Sequence, residues 1–164
     1  MIIRKLSLEN QPALEQLITI IEDQLPNHDW WLPIRETARA HFFDPLWTLF
    51  YGAFDHDHLV GASALFLNEF EFKEAAKHIQ LPLTGTAEIG RCMVNPAYRG
   101  RNIMLEINKV LLECAKEKGI KRILSTAHPD NIASCHSLLA LGMHKAGEVI
   151  KYTSYKRNIY LIEL

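Results

Sequence analysis

The sequence predicts one mixed α/β domain over residues 1–164, with a central sheet of about seven strands and about four helices. Three observations predict it. Residues 46–54 and 59–67 are apolar, strand-like runs separated by the polar tetrapeptide Asp55-His56-Asp57-His58, the pattern of a β-hairpin. Residues 86–94 and 121–127 are strand-like and flank an amphipathic helix, the pattern of a crossover between parallel strands. Residues 144–152 and 155–163 form a further pair of runs that reads as an antiparallel hairpin.

The remaining elements follow in order. Residues 2–6 read as a first strand. Asn10 offers an N-cap, Pro12 suits a first helical turn, and Leu14, Leu17, Ile18 and Ile21 recur at helical spacing, so a helix is expected over 11–24. A second helix is expected from Pro33 to Phe43, before Asp44-Pro45. Residues 68–85 are a connection with a short helix around Glu71–His78. Pro96 ends the strand over 86–94. Ile103, Ile107, Val110, Leu111 and Cys114 then share one helical face, and Gly119 suits the residue after that helix. A last helix runs from about Asn131 to Leu141 and stops at Gly142.

Composition narrows the function. An apolar share of 48% builds a sizeable core, and a charged share of 23% is ordinary for a globular protein. The net charge of −1 lacks the basic footprint of a general nucleic-acid binder. Three cysteines with no CxxC pair are not a disulfide framework. The opening Met1-Ile2-Ile3-Arg4-Lys5 has no apolar run of the signal-peptide kind, and no stretch reaches the length of a membrane span. The expectation is a cytoplasmic protein with no membrane, nucleic-acid or metal partner.

Ligands of open α/β sheets sit beyond the carboxyl ends of parallel strands. That place holds Val94-Asn95-Pro96-Ala97-Tyr98-Arg99-Gly100-Arg101-Asn102-Ile103-Met104. The start of the following helix presents unpaired N–H groups and a partial positive charge. Gly100 lets a ligand approach the backbone, and Arg99 and Arg101 suit phosphate oxygens. A solvated basic helix start is the plainer reading of the same residues.

This loop resembles the acetyl-CoA loop of the GNAT superfamily of N-acetyltransferases, whose signature Arg/Gln-x-x-Gly-x-Gly/Ala follows a strand ending in Val-x-Pro. Arg99 matches the first position; Asn102 and Met104 replace the two small residues. Asn tolerates left-handed backbone, so Asn102 can keep the shape of the loop. The segment from Asn131 to Met143 is similar to a later motif of the family. Asn131, Ser134, Leu141 and Gly142 fit it, while Leu138 stands at the family's tyrosine and Met143 at its aromatic. The resemblance implies the family's fold, with acetyl-CoA as cosubstrate in the splay of the parallel strand pair. It places pyrophosphate on Arg99, Gly100, Arg101, Asn102, Ile103 and Met104, and pantetheine near Asn131 and Ser134. Asn131 also reads as a plain helix cap.

Acyl transfer to an amine needs a base, a donor for the developing oxyanion, and a route for the leaving thiolate. The run Ala87-Glu88-Ile89-Gly90-Arg91-Cys92 resembles the strand that carries a glutamate base in the histone-acetyltransferase branch, which makes Glu88 the catalytic candidate. Strand alternation would put Glu88, Gly90, Cys92 and Val94 on one face. Burial there would raise the Glu88 pKa; an exposed carboxylate at a strand start is the alternative. The resemblance assigns the oxyanion to a backbone N–H near Met93 and Val94. Tyr98, Tyr152, Tyr155 and Cys135 are the substitutes for the missing tyrosine acid. The expected function is transfer of an acetyl group from acetyl-CoA to a primary amine of a small molecule or peptide, by direct attack. A non-catalytic acyl-CoA-binding protein of the same fold is the alternative.

Other constellations are weaker. His56, Asp57 and His58 read as a hairpin turn rather than a metal site. Trp30-Trp31 and Phe42-Phe43 read as core, or as walls of an acceptor pocket. Phe70 and Phe72 carry the same two readings, with a homodimer contact as a third.

Overall fold

The computed structural model describes all residues, Met1–Leu164. The elements are β1 (Ile2–Lys5), α1 (Gln11–Asp23), α2 (Glu36–Ala40), β2 (Thr48–Asp55), β3 (His58–Phe66), α3 (Glu69–His78), β4 (Thr86–Val94), α4 (Ile103–Glu117), β5 (Arg122–Ala127), α5 (Ile132–Ala140), β6 (His144–Lys151) and β7 (Tyr155–Glu163). The strands form one seven-stranded sheet in the order β1-β2-β3-β4-β5-β7-β6. Every neighbouring pair is antiparallel except β4 and β5, which are parallel. The expected mixed sheet, the crossover and both hairpins are therefore present. His56 and Asp57 form the tight turn between β2 and β3, with Asp55 paired to His58 and His56 at φ 54°.

Helices cover both faces. Helix α1 buries the four residues that its spacing predicts, Leu14, Leu17, Ile18 and Ile21, against Phe50, Phe54 and Met93. On the same face Phe72 of α3 is 1% exposed, packed on Leu124, Ile159 and Leu161. Phe72 is thus spent inside the chain and has no surface left for a dimer contact. The opposite face carries α4 and α5, with Ile103, Ile107, Leu111 and Ala115 buried on Ala87, Ile89 and Ile123. Burying each such side chain contributes roughly 1.5–3 kcal/mol.

The stripe of α4 is rotated from its expected position. Asn108, Leu112 and Ala115 point inward, while Val110 and Cys114 are half-buried. A polar contact sets this rotation: Ser63 Oγ donates to Asn108 Oδ1 at 2.7 Å in the core. Such a pair favours one seating of the helix, because any other leaves a buried amide unpaired. Gly61 brings the start of α4 close to the sheet, since a Cβ there would lie 2.9 Å from Ile103 Cγ2.

Three boundaries differ from expectation. Asn10 occupies the expected N-cap position of α1 without a side-chain cap hydrogen bond there; its Oδ1 instead accepts the Ser7 N–H at 3.0 Å and closes a preceding 3-10 turn. Helix α2 is a single turn rather than a helix over Pro33–Phe43. Residues 33–35 stay out of the helix: the Arg91 guanidinium donates to the carbonyls of Leu32 and Pro33, and Arg35 is extended at φ −69° and ψ 145°. Helix α3 begins at Glu69 after an Asn68 cap whose side chain accepts the Phe70 N–H, so it is longer than Glu71–His78.

The largest departure lies in β4. Arg91 has φ 50°, and the register with β3 shifts there, with Ala64 opposite Gly90 but Ala62 opposite Met93. This is a bulge, and it reverses the side-chain alternation beyond it. Glu88, Gly90 and Met93 share the α1 face, while Cys92 and Val94 pack on the α4 face. The alternation that grouped Glu88 and Gly90 with Cys92 and Val94 is thereby corrected.

Arg91 combines an unfavourable backbone conformation with a favourable side-chain role. Arg91→Ala should lose roughly 2–3 kcal/mol of folding free energy, the worth of its charged hydrogen bonds. Arg91→Gly should lose about 1 kcal/mol less, because glycine accepts positive φ. Urea denaturation of both variants measures the difference; an equal or larger loss for the glycine variant would contradict the strain at this position.

Candidate active site

Strands β4 and β5 pair only from Thr86 with Arg122 to Glu88 with Leu124. Past that point β5 stays with β7 as far as Ala127, so the two parallel strands part. Ser125 Oγ donates to the Ile89 carbonyl at 2.7 Å, at the mouth of the split. The gap opens into a cleft of about 550 Å³. Residues of both sheet faces line it, so the cleft runs through the sheet.

On the α4 face, the wall is the loop from Tyr98 to Met104. Gly100 has φ 76° with no atom within 4 Å of a would-be Cβ, so the backbone there is open to a ligand. Asn102 takes the left-handed conformation expected of it, φ 57° and ψ 17°. The first helical hydrogen bond of α4 runs from Glu106 N–H to Asn102 C=O. The amides of Ile103, Met104 and Leu105 therefore lie ahead of the ladder, at the positive end of the helix. Arg99 and Arg101 are exposed beside them, and the Arg101 guanidinium carbon lies 5.0 Å from the Tyr98 ring centre. These amides, the open glycine and the two cations fit a pyrophosphate chemically. Asn131 and Ser134 line the same cleft, and Asn131 Oδ1 accepts the Ser134 N–H at 3.3 Å, so the cap role is realised. Met93 and Val94 line it as well.

Glu88 sits at the last paired residue before the split. It is 6% exposed, and its Oε2 has no hydrogen-bond partner. Gly90 leaves it room, since a Cβ there would lie 3.4 Å from Glu88 Oε1. Burial raises the Glu88 pKa from 4.5 to about 7; Lys151, Arg91 and Arg35 oppose that rise and Glu71 adds to it. The expectation of an exposed strand-start carboxylate does not hold.

The wall on the α1 face comes from segments far apart in sequence. Trp30, Trp31 and Leu32 contribute from the stretch after α1, Glu71 from α3, and Lys151, Tyr152 and Arg157 from β6, β7 and their turn. Trp31 is fixed by its Nε1 donating to Glu22 Oε1 at 3.1 Å. Phe42, by contrast, is core, edge-on to Phe50 at 5.1 Å.

No charged residue of this wall except Glu88 is singled out by the sequence reading. The one legible signal was in β7, where Arg157 shares its face with buried Ile159 and Leu161. Lys151 joins the same face by pairing with Tyr155.

The candidates for the missing acid separate. Leu138 is 4% exposed and lines the cleft. Tyr98 donates its hydroxyl to Asp55 Oδ2 at 3.1 Å, and the buried Cys135 thiol faces the His128 carbonyl at 3.6 Å. Tyr155 is not part of the cleft wall, whereas Tyr152 is. No group of three or more metal-ligating side chains occurs. No helix is long and apolar enough to cross a membrane.

The raised Glu88 pKa carries a stability consequence. The folded chain binds this proton more tightly than the unfolded chain does. That stabilisation is complete below pH 4.5 and is lost as pH rises through about 7. Glu88→Gln, which never ionises, should be more stable than the native chain at pH 8, by up to about 3 kcal/mol, with the gap closing towards pH 5. Thermal melts across that range test it; a gap that does not depend on pH would place the titration elsewhere.

The comparisons agree with this geometry. A profile described as the "Acetyltransferase (GNAT) family" matches residues 14–143. No curated protein sequence matches the chain. Among solved structures, a ribosomal-protein-alanine N-acetyltransferase from Brucella melitensis superposes with a TM-score of 0.74 at 17% identity, covering 100% of each chain. An N-acetyltransferase from Staphylococcus aureus gives 0.74 at 16% identity, over 99% of this chain and 97% of that one. The yncA protein of Salmonella typhimurium, solved with its cofactor acetyl-CoA, gives 0.75 at 14% identity, over 100% and 94%. At such identities the superpositions speak for the fold, and the family profile spans most of the chain; the protein belongs to the GNAT family of acetyltransferases.

Proposed function

We propose that the protein moves an acetyl group from acetyl-CoA to a primary amine by direct attack, with Glu88 as the base. The observation that carries this reading is the Glu88 carboxyl: buried, unpartnered at Oε2, titrating near 7, and set where the strands part. A carboxylate with that pKa holds an amine proton well enough to take it at neutral pH, yet is ionised often enough to act.

The chain's other residues would bind and orient. Arg99, Gly100, Arg101, Asn102, Ile103 and Met104 would hold the pyrophosphate through backbone N–H groups and two guanidinium charges. Asn131 and Ser134 would meet the pantetheine arm, beside the unpaired edge of β4. A backbone N–H near Met93 and Val94 would face the charge that develops on the acetyl oxygen. Leu138 offers no proton, so the thiolate would leave unassisted or take its proton from water. That same leucine favours the second reading, an acyl-CoA-binding protein without turnover.

Thiol release from acetyl-CoA with a panel of amines separates the two. Turnover supports transfer; measurable CoA binding with no turnover for any amine supports the binding protein. If Glu88 is the base, kcat/KM should rise with pH through about 7. Glu88→Gln should lower kcat by roughly 10²–10⁴ and remove that limb, while CoA affinity stays within about twofold. Unchanged turnover would dismiss Glu88 from the role. Arg99→Ala should weaken CoA binding about tenfold at low ionic strength, with the deficit shrinking at high salt. Equal affinity by calorimetry would move the pyrophosphate away from this loop.

A further inference from the structure

The cleft contains polar atoms that the fold leaves without partners. Five buried side-chain atoms of the molecule have no hydrogen-bond partner: Trp30 Nε1, Glu71 Oε1, Glu88 Oε2, Arg157 Nη2 and Asn158 Oδ1. The residues of the first four all line this one cleft. Buried polar groups are normally paired, so an unpaired group in a concave wall marks a place where a ligand supplies the partner. The four divide by sign. Two are donors, one of them cationic, and two are carboxylate oxygens.

The donors belong together in the fold. The 3-10 turn His28–Trp30 packs against β7, which carries Arg157. Arg157 is 2% exposed, and its one side-chain hydrogen bond goes from Nη1 to the neighbouring Lys156 carbonyl. It belongs to no ion pair. Lys151, also 2% exposed, lines the cleft with no hydrogen bond or ion pair of its own. Arg91 is committed to the Leu32 and Pro33 carbonyls, and Arg35 stands 3.7 Å from Glu71. The charged groups facing this end are thus Arg35, Arg91, Lys151 and Arg157 against Glu71 and Glu88, with Asp29 beside Arg157. Cations are in surplus, and two buried ones, Lys151 and Arg157, form no ion pair.

The geometry points to a zwitterionic acceptor: a small amine that also carries an anionic group of the carboxylate kind, with the amine between Glu88 and Glu71 and the anion on Arg157 and Trp30 Nε1. This rests on the transferase reading above and names its substrate class. Arg157 presents a fixed donor to a carboxylate, with Lys151 adding charge. Ile21, Leu25, Trp31 and Phe66 give the same end apolar walls, which suit the hydrocarbon body of an amino acid. A polyamine or a lysine-rich tail would meet the cation surplus unfavourably.

The test uses the full chain with acetyl-CoA and a matched panel. The panel is phenylalanine, its decarboxylated amine phenethylamine, the corresponding aminophosphonate, and spermidine. The proposal expects kcat/KM for the anionic amines to exceed that of phenethylamine and spermidine at least tenfold. A phosphonate that outruns the carboxylate would identify the anion as phosphate-like and overturn the amino-acid form. Arg157→Gln and Trp30→Phe should each raise KM for phenylalanine with a smaller change in kcat, reducing the preference over phenethylamine; Arg157→Lys should restore part of it. Should the Arg157 variants fail to fold, the wild-type panel decides alone. Calorimetry of phenylalanine with the CoA-saturated protein reads binding apart from chemistry. Binding without turnover of any amine would sink the transferase reading and keep the zwitterion site. Turnover of amines with no anionic preference would keep the transferase and overturn the site.

Discussion

The bulge at Arg91 is the constraint that decides which side chains of β4 face each side of the cleft. Its left-handed backbone interrupts β4 three residues after the last pair with β5, just beyond the point where the two strands part. Its side chain then donates to the carbonyls of Leu32 and Pro33. The guanidinium carbon also lies 5.1 Å from the Trp31 ring centre. One residue therefore resets the facing of β4 and ties the segment after α1 to that strand. An unfavourable φ persists only when its surroundings fix it, and those hydrogen bonds do so.

The bulge also decides which groups meet. Reversal of alternation sends Met93 to the α1 face beside Glu88 and Gly90, and sends Cys92 and Val94 to the α4 face. There the Cys92 thiol stays near Ser63 and Asn108, and burial raises its pKa, which suits an inert core thiol. Glu88 is left as the carboxyl at the split. Its environment opposes ionisation through desolvation and supports it through Lys151, Arg91 and Arg35. The balance near neutrality is a property of that assembly, because a carboxyl with desolvation alone would stay protonated and one with the cations alone would stay ionised.

Local rules accounted for much of the fold. The faces of α1, the hairpin turn at His56 and Asp57, and the C-terminal glycines Gly119 and Gly142 at φ 73° and 97° depend on neighbours a few residues away. So does the left-handed Asn102, since Asn pays little for that conformation. Expectation failed where a distant group competed with a local preference. The extended stretch before α2 yields to Arg91, and the rotation of α4 yields to the Ser63–Asn108 contact. The loop and the Asn131 motif were legible as a site because each is one short contiguous segment.

By itself the sequence determined the element order, the parallel crossover, the family and the left-handed turn into α4 at Asn102, all of which are written in periodicity, caps and short motifs. Only the tertiary structure decided the wall of the cleft on the α1 face. Trp30, Glu71, Lys151 and Arg157 come from four separate segments, none of them in a motif, and gather with Glu88, which its own strand had singled out. Their meaning arises from burial without partners, and burial is set by what packs around a side chain rather than by its neighbours along the chain.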